Sequence, residues 1–478
     1  MLGSFLAMDS MKLKGPLLTE KLKPAFVPSL IAIVSGQAAA GTVALLTEVV
    51  YARLLGPAGR GLIGLCLMCV AFGTLVGGFG LEAAIVYWVS RSRRNDMSWA
   101  PAIAFWGVLG SSLAMCLWQL AYWRFHFPFL RGIPGSAASA TLFAIPVAIL
   151  FVYVLGFASG IEQFRLRSAC ATLRQITGAL TFLILLTLIG RSASAALWGN
   201  ATGLLVGSFA ALYLLRRHFR GSCSLRGAVD NLGPTLSYGV RGQVGNIATF
   251  FNYRLDVFIV NYFLSASQLG FYALGVVVSE ALWQIPQAVA TALFPRTARQ
   301  SDQDAAQFTC FVLRQLFLVS LLCGIVIAAL APIFIPLFLG SQFKPSIAVI
   351  WWILPGTIAL SMGKVACADL AGRGKNGYSS VFAFVCFAVT AVLDWTLIPR
   401  MGILGAALAS SITYLLDTVL ILAALRYELR VSSKSLFIPT ARDLEAYRAL
   451  WNRLKSMATH LRSHPAQMDV ALESQEAD

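Results

Sequence analysis

Charge is what this sequence has least of. Asp, Glu, Lys and Arg make up 12% of its 478 residues against 58% hydrophobic residues, whereas soluble globular chains carry roughly a quarter charged residues. So little charge cannot clothe a water-facing surface of this size, and a different solvent is required. Histidine is nearly absent, with four in the chain. Nine cysteines are scattered, mostly inside apolar segments. Cys66 and Cys69 form a CxxC, but with no His or second CxxC nearby they read as small packing residues rather than a metal or redox site. Gly372-Arg373-Gly374 lacks the Gly-Lys-Ser/Thr ending of a phosphate-binding loop, so nucleotide hydrolysis finds no support. Neither a metal nor a cofactor is expected. No cleavable signal is evident; Lys12, Lys14, Lys21 and Lys23 precede the first apolar run as a cytoplasmic flank does, and Met8 and Met11 are alternative starts.

Hydrophobic runs of membrane-spanning length are present almost from end to end. The first six spans are 26–51, 61–89, 99–123, 138–160, 169–189 and 194–215. The second six are 235–263, 269–294, 310–339, 346–370, 378–399 and 403–425. The net charge of +16 sits in short gaps between them, which argues against nucleic acid and for orientation. Alternate connections hold Arg91, Arg93 and Arg94; Arg165, Arg167 and Arg174; Arg216, Arg217, Arg220 and Arg226; Arg296 and Arg299; Arg373 and Lys375. The intervening ones hold only Arg53 and Arg60, Arg124 and Arg131, Arg191, Lys344 and Arg400. The rich set falls on the side of both termini, which makes that side cytoplasmic. The expected fold is an all-α integral membrane protein of about twelve transmembrane helices.

The halves echo each other. Arg53-Leu54-Leu55-Gly56 leads into Gly61-Leu62-Ile63-Gly64-Leu65, as Tyr262-Phe263-Leu264-Ser265 leads into Gly270-Phe271-Tyr272-Ala273-Leu274, and Ala195-Ala196-Leu197 matches Ala406-Ala407-Leu408. The offset is about 210 residues, so two six-helix lobes related by a parallel repeat are expected, with a site between them. The boundaries are a cytoplasmic segment 1–25, a lobe 26–216, a linker 217–234, a second lobe 235–426 and a tail 427–478. In the tail, Thr440 and Asp443 have capping-box spacing. Leu444, Tyr447, Leu450, Trp451, Leu454, Met457 and Leu461 then recur at helical spacing opposite five Arg and Lys side chains. This reads as a basic amphipathic helix over 441–463 lying on the inner membrane surface, with a docked helix as the alternative.

A charge at mid-membrane costs about 2.5–3.5 kcal/mol on insertion scales, so each needs a reason. Span seven carries Arg241, Asn252, Arg254 and Asp256, and span eight carries Glu280, Gln284, Gln287 and Thr291 around Pro286. Span ten has Thr357, Ser361 and Lys364; span twelve has Ser410, Thr413 and Asp417; span one has Gln37 and Glu48; span eleven has Asp394. Stripes on several helices point to a shared wet cavity. Pairing across helices, Glu48 with Arg254 or Lys364 with Asp417, is the alternative. Small-residue steps at Gly73/Gly77, Gly156/Gly160 and Gly203/Gly207 read as close helix packing.

Several of these segments resemble the oligosaccharide flippases of bacterial polysaccharide biosynthesis. The likeness is carried by Ala52-Arg53-Leu54-Leu55-Gly56-Pro57, Gly61-Leu62, Gly80-Leu81, Arg254-x-Asp256, Gly270-Phe271-Tyr272-Ala273-Leu274, Pro295-Arg296 and the run from Ile398 to Ala407. It covers roughly 25–430 and extends to the superfamily that also holds multidrug (MATE-like) exporters and lipid II flippases. The resemblance implies a non-enzymatic transporter that moves a polyprenyl-diphosphate-linked oligosaccharide from the inner to the outer leaflet of a bacterial inner membrane. Its implied partners are membrane lipids and a polysaccharide polymerase or export machinery. Arg241, Arg254 and Lys364 would meet the diphosphate, and Asn252, Gln284, Gln287 and Gln37 the sugars. Glu48, Asp256, Glu280, Asp417 and Asp394 are the candidates for proton or sodium coupling. The alternatives are a cation-coupled multidrug exporter, for which a more acidic cavity would be expected, and a membrane glycan polymerase or ligase, for which a large outer loop would be expected.

Overall fold

A computed structural model describes residues 26–91, 99–218, 225–287, 289–290, 302–375, 377–432 and 435–436. All regular structure among them is helical. Twelve helices follow in order: α1 (Phe26–Gly77), α2 (Leu81–Arg91), α3 (Ala100–Gln119), α4 (Gly135–Gly160), α5 (Phe164–Ile189) and α6 (Ala193–Leu215), then α7 (Leu225–Phe263), α8 (Ala266–Glu280), α9 (Asp302–Phe334), α10 (Pro345–Gly372), α11 (Gly377–Met401) and α12 (Ile403–Leu429). Among the described residues, ten helices are long and apolar enough to cross a membrane, and the chain is a multi-pass membrane protein. The expected twelve spans are reconciled at two places. Gly56, at φ +67° and followed by Pro57, divides α1 into two helical stretches. Helix α7 has the length, but Asn246, Asn252, Arg254, Asp256 and Asn261 dilute its hydropathy.

One expected span is not continuous. Residues 61–89 break at Gly78-Phe79-Gly80, where α1 ends and α2 begins. Broken backbone inside a membrane must find partners in protein. The Tyr153 hydroxyl of α4 donates to the Gly78 carbonyl at 3.0 Å, and the Gln243 side chain of α7 donates to that of Leu75. Span eight also bends, through a 3-10 turn at Ala281–Trp283, before the described part ends at 290. The tail helix expected over 441–463 lies outside the described residues, as does the segment before Phe26.

Helices α1–α6 pack chiefly on one another, and so do α7–α12. The seam between the two groups is made by α1 against α8 and by α2 and α3 against α7. At the end of the bundle holding the connections 190–192, 264–265 and 340–344, one apolar core runs across the seam, joining Leu65 and Trp118 to Val260, Tyr272, Ile353 and Tyr414. At the opposite, basic end the cores are separate: Ile103, Val154 and Leu215 belong to one, Leu313, Val365 and Leu425 to the other. The groups are therefore clamped through a shared core at one end, while toward the other the described residues form two separate cores that meet where α2 and α3 touch α7, as at Gly80 against Gly239.

The clamp depends on two glycines. A Cβ on Gly270 would stand 1.9 Å from the Pro57 carbonyl oxygen, and one on Gly61 would stand 2.1 Å from that of Ala266. Only hydrogen at these positions lets α1 and α8 touch backbone to backbone. Arg53 adds two donated bonds to the carbonyls of Phe338 (2.6 Å) and Leu337, and Asn261 donates to Phe129 and Arg131 across α7. Gly270→Ala must push the helices apart and should cost about 1–3 kcal/mol, the usual range for overpacking. A lowered unfolding midpoint of the purified protein in detergent would show it; an unchanged midpoint would mean the seam is softer than its geometry.

Candidate functional site

A half-open cavity of about 590 Å³ lies on the α1–α6 side of the seam, with Gln243, Asn246 and Phe250 of α7 forming part of its wall. Its wall is mostly apolar; its polar groups are the charged Glu48, Glu82 and Arg174, the amides Gln175, Asn200, Gln243 and Asn246, and hydroxyls such as Thr47 and Thr74. Helix α6 can approach α5 closely because Gly203 and Gly207 face Arg174, a Cβ on Gly207 falling 3.1 Å from that of Arg174. This contact sets the Arg174 guanidinium over the Phe151 ring at 5.6 Å, with one nitrogen donating to Asn200 Oδ1 at 3.2 Å. Its Nε is buried without a hydrogen-bond partner among the described residues. The other charges of the wall are answered: Glu48 pairs with buried Arg60 at 2.5 Å, and Glu82 faces Arg167 at 3.8 Å. Arg174 is thus a cavity guanidinium that no carboxylate is found to neutralise among the described residues.

Glu48 is the sequence-picked candidate that this cavity includes. It pairs with Arg60, twelve positions along and across the Gly56 kink, not with Arg254 as one expectation had it. Arg254 is instead held bidentate by Glu280 of α8, at 2.8 and 2.6 Å. Arg60, read from sequence as part of a connection, is helical and 3% exposed. Arg174 was counted with the basic connections, yet it sits within α5. It is the residue that sequence reading missed as a site. Gln37 and Arg241 lie on described helices, but their side chains fall outside the described ones.

The remaining candidates gather inside the second group of helices, in two clusters. In the first, Asp256 of α7 takes a hydrogen bond from its neighbour's backbone at 2.6 Å, one from Tyr272 of α8 and one from Ser410 of α12 at 3.2 Å. One turn away, Thr390 of α11 donates to Asn252 at 2.8 Å. Asp394, one turn beyond Thr390, is fully buried, lies within electrostatic reach of Asp256, and has no hydrogen-bond donor among the described residues. In the second cluster, Lys364 of α10 lies over the rings of Trp283 and Tyr253, with Asp417 of α12 beside it. Gln284 and Gln287 follow Trp283 on the bent end of span eight and are exposed. Thr357, Ser361 and Thr413 bond back to carbonyls of their own helices and are buried.

Solved structures with the same architecture are transporters. The lipid II flippase MurJ in an inward closed conformation superposes with a TM-score of 0.63 at 15% identity, over 91% of this chain and 99% of that one. An inward-facing MATE-family multidrug resistance transporter of the MOP superfamily gives 0.60 at 14% identity, over 84% and 98%. Such likeness shows the fold, which is MATE-like. Among curated proteins, one from Haloferax volcanii named as a low-salt glycan biosynthesis flippase is 25% identical over 196 residues, 40% of this chain and 41% of that protein. One from Shigella flexneri named as an O-antigen transporter is 25% identical over 182 residues, 37% and 43%. The chain spans about two fifths of the length of these relatives in the matched segments. A model of the family described as polysaccharide biosynthesis protein matches residues 50–348, more than half of the sequence, and the chain belongs to that family.

Proposed function

We propose that the chain flips a polyprenyl-diphosphate-linked oligosaccharide across the cytoplasmic membrane, taking it up at the basic end and releasing it at the other. The observation that carries this reading is Arg174: a guanidinium with no carboxylate partner among the described residues, in a cavity whose two carboxylates, Glu48 and Glu82, face Arg60 and Arg167 and whose other polar groups are amides and hydroxyls. A buried unpaired charge is costly, and an anionic ligand is what offsets it. Guanidinium suits a diphosphate because its fork of donors matches phosphate oxygens. Asn200, Gln175 and Asn246 offer the hydrogen bonds a glycan needs, and the prenyl chain stays in the bilayer. Both curated relatives are named for glycan transport. The groups α1–α6 and α7–α12 act as the two rocking lobes, with the Gly61–Gly270 seam parting as the basic end closes. Both termini lie on the cytoplasmic side.

The Asp256–Asp394 cluster is the coupling site in this scheme. A bare carboxylate at Asp394 has no donor to stabilise it among the described residues, so a proton or sodium ion must neutralise it. Binding that cation in one conformation and not the other biases the rocking equilibrium. A strain lacking the gene should accumulate lipid-linked oligosaccharide in the inner leaflet and lose the surface glycan; unchanged glycan with no trapped intermediate refutes flipping. Vesicles carrying the purified protein should flip more slowly when both ion gradients are collapsed, and insensitivity refutes the coupling role alone.

A further inference from the structure

The second cluster has the chemistry of an organic-cation site, but the protein supplies the cation itself. Tyr253, Trp283 and Tyr414 form a trio of rings with centroids 5.6, 5.5 and 5.6 Å apart. The Lys364 ammonium stands 4.2 Å from the Trp283 centroid and 5.0 Å from that of Tyr253. Aromatic faces attract cations through their negative quadrupoles, and cages of this kind bind ammonium groups. Acid completes the arrangement. Asp417 lies beside the Tyr253 hydroxyl and interacts with Lys364, which Glu280 also reaches.

The charges balance only with the lysine in place. Arg254 and Glu280 cancel as a bidentate pair, and Lys364 acts on Asp417 from beyond direct ion-pair contact. Without the ammonium, Asp417 would keep its hydrogen bond from Tyr253 but lose the cation that acts on it among the described residues. Two polar atoms of the cage, Trp283 Nε1 and the Tyr414 hydroxyl, are buried without hydrogen-bond partners among the described residues. The cage is open rather than sealed, since Lys364, Tyr253 and Trp283 are all partly exposed.

We infer that Lys364 is a resident occupant which closes an aromatic–acidic cation site, and so sets the specificity of this transporter against organic cations. The same helical fold serves multidrug exporters as well as flippases, so a tethered ammonium in the cage is an economical way to reject cationic solutes. The inference concerns cation binding by the purified protein and stands apart from the glycan reading, which it neither needs nor tests.

The test is binding of tetramethylammonium, small enough for the space a lysine side chain vacates, to the purified full-length protein. Wild type should bind negligibly. Lys364→Ala and Lys364→Gln should bind about tenfold or more tightly than wild type, the effect of 1.4 kcal/mol within the range of desolvated cation–π contacts. Adding Trp283→Ala or Asp417→Asn to Lys364→Ala should return binding to the wild-type level. The inference is overturned if neither Lys364 variant gains affinity while both remain monodisperse, or if the gain survives loss of Trp283. It is equally overturned if both variants fail to fold, because Lys364 would then hold the structure rather than select the solute.

Discussion

Alanine at Arg174 should slow flipping of a polyprenyl-diphosphate-linked oligosaccharide in reconstituted vesicles by about tenfold to a hundredfold. The size follows from the bonds at stake. A hydrogen bond to a charged group contributes about 1.5–3 kcal/mol, and 1.4 kcal/mol is a factor of ten. Arg174 brings an unpartnered Nε and a second nitrogen held only by Asn200. Its loss should not unfold the protein, because the removed charge has no carboxylate partner among the described residues to strand. Lysine at the same position should recover part of the rate, since it restores the charge but not the fork of donors. Glutamine should not. If Arg174→Ala flips as fast as wild type, some other group meets the diphosphate; if alanine and lysine are equally impaired, Arg174 acts through packing against Phe151 and Gly207.

Most of the architecture was legible because a bilayer leaves the chain few choices. Backbone groups in hydrocarbon must be paired within the segment, so every apolar run of spanning length had to be helical, and α4, α6, α10 and α12 begin and end close to the expected limits. Hydropathy is blind to a break whose carbonyls are served by other helices. That is why 61–89 read as one span, although the cluster Gly77-Gly78-Phe79-Gly80 was the signal for it. The patch on that break comes from Tyr153 and Gln243, which lie far along the chain and could not be foreseen as its partners.

The intramembrane charges were legible, but not their grouping. Charge inside the membrane marked Glu48, Arg254, Asp256, Glu280, Lys364, Asp394 and Asp417, and the structure gathers the last six in the second group of helices. Pairing depends on helix rotation and on the Gly56 kink, so Glu48 found Arg60 rather than Arg254. The rule that exposes the topology hides Arg174, because it reads basic residues near span ends as orientation signals. Arg174 lies ten residues into α5, about 15 Å along the helix axis. Position along the helix, rather than distance to the nearest connection, separates an anchoring arginine from one that lines a cavity.

The Arg254–Glu280 pair separates structure from function most sharply. Glu280→Ala should destabilise the protein by about 3–5 kcal/mol, because removing one partner leaves a charge without compensation in a low-dielectric interior. The lower end of that range is expected, since the Arg254 side chain keeps 24% of its exposure. Asp256, which also acts on Arg254 but whose oxygens already accept from Val257, Tyr272 and Ser410, should offset only part of the loss. Replacing both partners, as Arg254→Met with Glu280→Met, should recover most of the loss, because apolar side chains of similar volume carry no desolvation cost. Unfolding midpoints in detergent measure all three proteins. If Glu280→Ala is as stable as wild type, the pair is solvated and its guanidinium remains available to an anion. If the double variant is stable and still flips, Arg254 is a strut of the second lobe, and Arg174 is left as the cation that meets the diphosphate.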